Sequence, residues 1–446
     1  MRRSPSPLML IPVGFGRRMN TVELFAGIGG FRIAADGIPL TTVWANDICP
    51  KACQVYRSRF GVETIKEGDI HSLAGSIPPH DLLTAGFPCQ PFSSAGKKNG
   101  VRDPRGTLFQ TVVDALKAHH PRYFVLENVK RLLSMEDGLH FATILSSLAE
   151  LNYDIEWRLI NAMHLGLPQN RQRVFIVGVR KEGNSGRSDE PASVRLATGA
   201  DLARGNIDGI SDPKSWEPIE EHDKRFPTWG MAAGGQFIGS NLDEFSWAMP
   251  LVSVREVLQS TVPDEFDFTE ATLQWLPKNI PVNRIIQGVE ILSNQGGGAR
   301  MGYTIFGLNG VAPTLTSTTS RHYERYKIGE RYRRLTNIEY ARIQGFPDDH
   351  CAACSIYDQY GLYGNAVPPD GKVGHPAVAF RRRLGVEVPS HQQATEPFRL
   401  CPLKPNSEPF YSEISPIPSI ASMSLALQWR YNFGPLFGGG DENNDE

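Results

Sequence analysis

The chain is poor in cysteine: six in 446 residues, too sparse for the disulfide framework of a small secreted domain. It has no apolar run approaching the roughly 20 residues that a membrane-spanning helix needs, so no membrane partner is expected. It also lacks an excess of charge of one sign. Against 46 Lys+Arg stand 48 Asp+Glu, a formal net charge of −2, so any surface for a polyanion must be a local patch. Hydrophobic residues at 40% and charged residues at 21% exclude a disordered polyampholyte. A chain this long buries a large core without staples and suggests two or three domains, at about 150 residues each.

Near the start, Leu8-Met9-Leu10-Ile11 is flanked by Pro7 and Pro12 and runs into Arg17-Arg18 with no small-residue cleavage site, unlike a signal peptide. Residues 1–18 read as a flexible extension, with folded structure starting at Met19. Across 19–180, apolar runs at 22–25, 42–45, 81–85, 123–127 and 174–179 alternate with helical patterns at 31–35, 51–60, 108–118 and 141–151. That alternation predicts an α/β fold, a mostly parallel sheet with helices on both faces. In 181–330, Asn184-Ser185-Gly186, Asp212-Pro213 and Gly234-Gly235 punctuate weak periodicity, which reads as a second, smaller, irregular domain. Residues 331–385 return to the first domain through a helix at 335–344. Residues 386–446 are Pro/Ser-rich, end in glycines and acids, and read as a solvated, flexible tail.

The first predicted strand runs into Phe25-Ala26-Gly27-Ile28-Gly29-Gly30. Glycine there permits a tight turn and close backbone approach to a ligand, and the following helix offers free N–H groups. Alone the turn is a weak signal, since many strand–helix turns carry glycine for packing. Asp47 follows the second strand and Asp69, in Gly68-Asp69-Ile70, what reads as a third. Open parallel sheets bind ligands beyond the carboxyl ends of their strands. An acid after strand two suits ribose hydroxyls. One after strand three suits an exocyclic purine amine, because a carboxylate only accepts. Either acid is also a good helix cap, but three such features at successive strand ends favour a ligand site.

The fourth strand leads into Gly86-Phe87-Pro88-Cys89-Gln90-Pro91 and the fifth ends in Glu127-Asn128-Val129, so a thiol and a carboxylate emerge at the same edge as the glycine turn. A lone cysteine is usually buried filler, but Cys89 is held between two prolines at a strand end. A positioned thiol beside an acid can add covalently to an electron-poor ring. The basic, glycine-bounded 96–106 segment, with Lys97 and Arg105, reads either as a surface loop or as a lid over a polyanion. Between 321 and 334 lie Arg321, Arg325, Lys327, Arg331, Arg333 and Arg334, interleaved with Tyr323, Tyr326 and Tyr332. Such a run is ordinarily a solvated face. His350-Cys351-Ala352-Ala353-Cys354 is half a zinc motif with no second Cys pair at metal spacing, so no metal is expected.

These ordered motifs resemble the cytosine-5 DNA methyltransferase family of bacterial restriction–modification, over 21–180 and about 293–369. The resemblance implies a Rossmann-like, S-adenosylmethionine-dependent methyltransferase fold with a target-recognition domain at 181–330. Phe25 through Phe31 resembles the first cofactor motif, Asn46-Asp47 the ribose element, Gly68-Asp69-Ile70 the adenine element, and Gly364-Asn365-Ala366-Val367-Pro368-Pro369 the motif that closes the cofactor pocket. By the same likeness Phe25, Gly27, Gly29, Gly30, Asp47, Asp69, Ile70, Pro88 and Asn365 are expected to hold S-adenosyl-L-methionine. Gly86-Phe87-Pro88-Cys89-Gln90 resembles the nucleophile motif, Glu127-Asn128-Val129 the motif holding the target base, and Gln169-Asn170-Arg171-Gln172-Arg173 the arginine pair of the pocket. Cys89, Glu127, Arg171 and Arg173 are therefore the expected catalytic set. Ala312-Pro313-Thr314-Leu315-Thr316 resembles the Thr-Leu element beside the recognition domain, which turns the basic run toward phosphate contact. Lys97, Arg105, Thr314, Arg321, Arg325 and Lys327 are the expected DNA-binding residues.

The chain departs from the family pattern at Glu23, where Asp is usual, at Asp47, where Glu is usual, and after Pro369, where a helix-poor string replaces a helix. The resemblance implies a cytoplasmic, monomeric bacterial enzyme acting on double-stranded DNA, nucleoid-associated during action, with a separately acting restriction endonuclease at the same site. The alternatives are an RNA cytosine-5 methyltransferase, against which the roughly 150-residue insert between the matched stretches argues, and a DNA-binding protein with an impaired catalytic domain.

Overall fold

The computed structural model describes residues 18–36, 39–88, 108–181, 196, 213–242, 250–274, 276, 279–294, 304–317 and 324–369. Five strands open the chain: β1 (Met19–Leu24), β2 (Leu40–Asp47), β3 (Ile65–Glu67), β4 (Leu82–Gly86) and β5 (Tyr123–Val129). Between them run helices α1 (Gly30–Ala34), α2 (Pro50–Phe60), α3 (Ile70–Leu73) and α4 (Leu108–His119). After α5 (Leu139–Glu150) come β6 (Tyr153–Asn161), β7 (Gln172–Arg180), β8 (Glu217–Pro218), β9 (Trp229–Ala233) and β10 (Gln236–Ser240). These ten strands form one sheet, ordered β3-β2-β1-β4-β5-β7-β6-β9-β10-β8.

Strand alternation explains why both faces are covered. From β4, Leu83 and Ala85 enter the core under α4 and α5, and from β5 Phe124 and Leu126 do the same. Leu82, Tyr123 and Val125 point the other way and pack with Phe31 of α1 and with Phe175, Val177 and Val179 of β7. The expected parallel order holds from β3 through β5. Beyond β5 every pairing is antiparallel. The reason is connection length. Only ten residues separate the end of β6 from the start of β7, too few for the crossover that parallel neighbours need.

A second sheet of five strands comprises β11 (Ile280–Ile286), β12 (Val289–Asn294), β13 (Ile305–Phe306), β14 (Arg325–Ile328) and β15 (Arg331–Arg333), in that order. Helices Asn337–Gln344 and Ile356–Asn365 pack beneath it, and Phe306, Tyr326, Tyr340, Tyr360 and Tyr363 share one core with Ile28, Ala52 and Val55 of the first sheet's layer. The expected 181–330 boundary does not follow the sheets. Strands β8–β10 extend the first sheet, β9 pairing with β6 from Ile155↔Ala232 to Arg158↔Trp229, because β6 would otherwise be a bare edge. At the other boundary, β15 lies beyond residue 330 yet belongs to the second sheet. Residues 1–17 and 370–446 lie outside the described residues, so the readings of the extension, the tail and the string after Pro369 go with them.

One buried acid makes stability depend on pH. Glu23 of β1 is 1% exposed. Tyr56 of α2 donates to its Oε2 at 2.8 Å, while Oε1 has no hydrogen-bond partner among the described residues. Burial pushes its carboxyl up from 4.5 to about 7. The folded state therefore holds this proton over a range where the unfolded chain has released it. Its contribution is fully favourable below about 4.5 and is lost as pH rises to about 7, a swing on the order of 3 kcal/mol. Glu23→Gln, which has no charge to desolvate, is expected to raise the thermal midpoint at pH 8 and leave it little changed at pH 4.5. Equal shifts at both pH values would show that the carboxylate is not the cause.

Candidate active site

The glycine turn after β1 is fixed from several sides. Phe25, Gly27 and Gly29 have φ of 54°, 56° and 84°, a left-handed series that glycine adopts freely and Phe25 only under strain. Asp47, at the end of β2, accepts from the Gly27 amide at 2.8 Å through Oδ2 and from the Cys49 amide at 2.8 Å through Oδ1. Burial raises its pKa, against these amide bonds. A Cβ on Gly27 would meet nothing within 4 Å, whereas one on Gly30 would stand 2.1 Å from the Val367 carbonyl oxygen. So Gly27 faces open space, and Gly30 is where the segment after Asn365 lies against the turn.

Asp69 caps α3 by accepting from the His71 amide at 3.0 Å, so its cap reading is realised, with the carboxylate exposed at the strand edge. Ile70 follows directly, at the start of α3. Its side chain is 3% exposed and sits in the first core, which leaves only its backbone for a ligand. Pro88 and Asn365 are both exposed at this end of the sheet.

A charged pair stands at the carboxyl edge of β5. Because β5 and β7 run antiparallel with Val129 opposite Arg173, Arg173 reaches back to Glu127, its Nε 2.9 Å from Oε1. Burial raises the Glu127 pKa even though Arg173 and Arg171 both pull it down. Gly86, at the end of β4, lies over this carboxylate: a Cβ there would be 3.6 Å from Glu127 Oε2. Asn128 donates through Nδ2 to the Phe87 carbonyl at 2.9 Å, tying the end of β5 to the backbone that leads toward residue 89. Cys89, Lys97, Arg105 and Arg321 lie outside the described residues.

Arg171 is a brace, 2% exposed. It donates through Nη1 to the Leu315 carbonyl at 3.0 Å and through Nη2 to the Ala366 carbonyl at 2.9 Å, so one guanidinium joins three distant stretches of chain. Burial and the nearby Arg173 lower its pKa to about 9.

The family model described as C-5 cytosine-specific DNA methylase matches residues 19–372. The chain belongs to that family. It is 45% identical over 160 residues to the type II methyltransferase M.NgoBI of Neisseria gonorrhoeae, a match spanning 36% of this chain and 50% of that one. It is 30% identical over 361 residues to M1.ScrFI of Lactococcus lactis subsp. cremoris, spanning 78% and 75%. With M.HhaI of Haemophilus parahaemolyticus the figures are 29% over 353 residues, 78% and 90%. The fold is that of the S. pombe Dnmt2 methyltransferase, with a TM-score of 0.52 at 18% identity over 82% of this chain and 98% of that one.

Family motifs do not by themselves say which side chains already have partners, and the contacts of Thr314 and of the basic run supply that. Thr314 donates its hydroxyl to the Asn170 carbonyl at 2.6 Å, so that proton holds the arginine motif in place. Within the basic run, Arg331 pairs with Asp264 and Asp267, and Arg333 makes a buried two-point pair with Glu339. Arg334 stacks on Phe266, 4.9 Å from the ring centre. Arg325 and Lys327 flank the fully buried Tyr326 and share the opposite, half-buried face of β14. Two residues have surroundings that the sequence did not announce. Gln169, fully buried, bonds Gln344 at 2.6 Å and the Leu315 amide at 2.9 Å; a glutamine in a polar motif gives no sign of such burial. Ile48, just after Asp47, is 68% exposed, an apolar side chain left bare at this end of the sheet; an isoleucine beside Asp47 in the sequence gives no sign of that exposure.

Proposed function

We propose that the chain is a DNA (cytosine-5-)-methyltransferase, transferring a methyl group from S-adenosyl-L-methionine to a cytosine turned out of a short specific duplex sequence. It acts as a monomer in the bacterial cytoplasm, protecting sites cut by a separate restriction endonuclease. The observation that carries this reading is the pairing of buried Glu127 with half-buried Arg173 at the edge where β4 delivers Gly86-Phe87-Pro88.

The residues at the turn suit the cofactor. Gly27 leaves an open cradle, Asp47 and Asp69 supply acceptors, Ile48 and Phe25 supply apolar surface, and Pro88 and Asn365 border the edge. When bound, the cofactor supplies an electrophilic methyl group. The protein's own groups make carbon 5 of cytosine able to take it. The Cys89 thiolate bonds to carbon 6, and the displaced π-electrons move toward carbon 5 and ring N3. Glu127 in its acid form donates a proton to N3, which its raised pKa favours. Arg173 hydrogen-bonds the ring carbonyl. Once carbon 5 carries the methyl group, loss of its proton to a base expels the thiolate, N3 returns its proton to Glu127, and the ring is restored. A stacked duplex hides carbon 6, so the base must leave the helix.

Bisulfite sequencing of DNA from cells expressing the protein tests the proposal: converted cytosines at every site would overturn it. Methyl transfer from tritiated cofactor to tRNA but not to duplex DNA would favour the RNA alternative.

Recognition is assigned to the second sheet. Exchanging 250–333 with another family member should move the recognised sequence, whereas exchanging 181–330 should fail to fold, because it removes β8–β10 from the first sheet. Arg325→Ala and Lys327→Ala should weaken specific and non-specific DNA binding alike and lower the salt slope by roughly one unit each. Binding to a site and to its single-base variants at several salt concentrations reads both effects. Loss of discrimination at one base pair would instead make the residue a base reader.

A further inference from the structure

The turn after β1 is also held from behind by a residue the reaction does not use. The Ile28 side chain is 2% exposed and plugs the core under the helices Asn337–Gln344 and Ile356–Asn365. Its carbonyl meets His350 Nε2 at 2.8 Å. A carbonyl only accepts, so Nε2 carries the hydrogen. His350 is 2% exposed, with its ring 4.8 Å from Phe346 and 6.3 Å from Phe60. Phe60 in turn lies under Gly29, where a Cβ would come within 2.3 Å of its ring.

The His350 backbone is fixed as well. Arg59 of α2 donates through Nε to the His350 carbonyl at 2.8 Å and pairs with Asp349 at 3.0 Å. From the same helix Gln54 donates to the Ala353 carbonyl at 2.8 Å. The sequence offered His350 as half of a zinc motif. Its ring is instead spent on Ile28, and Cys351 beside it is fully buried in the core.

We propose that His350 is a positioning residue for the cofactor turn: its Nε2–H, donated to the Ile28 carbonyl, holds the Gly27–Gly30 backbone in its binding conformation. Cofactor affinity thereby depends on the segment that links the two helices under the second sheet. Burial lowers the His350 pKa to about 4, so the ring is neutral in the working range and the bond is unaffected by ordinary changes of pH. The inference rests on the reading of the turn as the cofactor site.

Two variants separate the hydrogen bond from the packing. His350→Phe keeps a ring between Phe346 and Phe60 and removes the donor, leaving the Ile28 carbonyl buried without it. His350→Gln restores an amide donor at similar reach. Calorimetric titration with S-adenosyl-L-methionine should show about tenfold weaker binding for His350→Phe and recovery to within about threefold of wild type for His350→Gln. In turnover, KM for the cofactor should rise in His350→Phe while kcat at saturation holds. Hydrogen exchange of the amides at 27–30 in the cofactor-free protein should speed up in His350→Phe only. Wild-type affinity in His350→Phe, equal losses in both variants, or unchanged exchange at 27–30 would each overturn the proposal. A wild-type protein that binds no cofactor would overturn the cofactor reading itself, and the exchange arm would still report whether His350 holds the turn.

Discussion

Replacing Cys89 with serine is expected to abolish methyl transfer and to leave cofactor affinity within about twofold of wild type. In the proposed route the thiolate is the species that adds to carbon 6, and a serine hydroxyl is almost entirely protonated at neutral pH. The surroundings favour residue 89 for this task. Strand β4 ends at Gly86 over the Glu127 carboxylate, and Asn128 pins the Phe87 carbonyl. The chain thus leaves the sheet beside the acid that the proposed route pairs with the nucleophile. A duplex carrying 5-fluorocytosine should trap the wild-type protein, since fluorine at carbon 5 blocks the final elimination. Peptide mapping should place the adduct at Cys89. Cys53 and Cys351 are poor competitors: both are fully buried, and burial pushes each thiol up to about 12. Methylation at the wild-type rate by Cys89→Ser, or an adduct on another cysteine, would rule out the covalent route.

Much of the first sheet was legible because its strands alternate plainly between two apolar faces and end in punctuated motifs. Strands β1, β2, β4, β5 and β7 all fall where the apolar runs place them. Strand β6 was not legible, since Glu156 and Arg158 interrupt its pattern. Both charges are buried and find partners far away in sequence: Glu156 accepts from Trp229 Nε1 at 2.7 Å and from the Leu196 amide at 2.8 Å, and Arg158 donates to the Leu196 carbonyl at 2.8 Å. Nothing local announces such pairing. The same limit applies to the basic run, where Arg333 reads as a phosphate ligand until Glu339 is seen two-point paired with it. Motifs named Arg171 and Arg173 together, and the contacts show what each does: Arg171 braces three stretches of chain and Arg173 lies beside the acid.

Glu127→Gln is expected to lower kcat by about 10²–10⁴-fold, with a distinctive change in pH dependence. The amide keeps the size of the side chain and can still donate a hydrogen bond to ring N3, but it cannot surrender a proton there. The proposed route requires the acid form of Glu127 in the wild-type protein. Burial raises its pKa and Arg173, 2.9 Å away, together with Arg171 pulls it back. Activity should therefore fall on the alkaline side as pH rises through the raised Glu127 value, and on the acid side as the Cys89 thiolate is protonated. In Glu127→Gln the alkaline limb should vanish and the acid limb remain. Arg173→Ala gives the complementary test. Removing the guanidinium leaves desolvation less opposed, so the Glu127 carboxyl should hold its proton to higher pH and the alkaline limb should move upward, even as loss of the carbonyl contact lowers the rate. The measurement is kcat/KM for a duplex substrate across pH at saturating cofactor. An alkaline limb that persists in Glu127→Gln, or that moves downward in Arg173→Ala, would assign the proton to another group and leave Glu127 as a partner that only holds Arg173 in place.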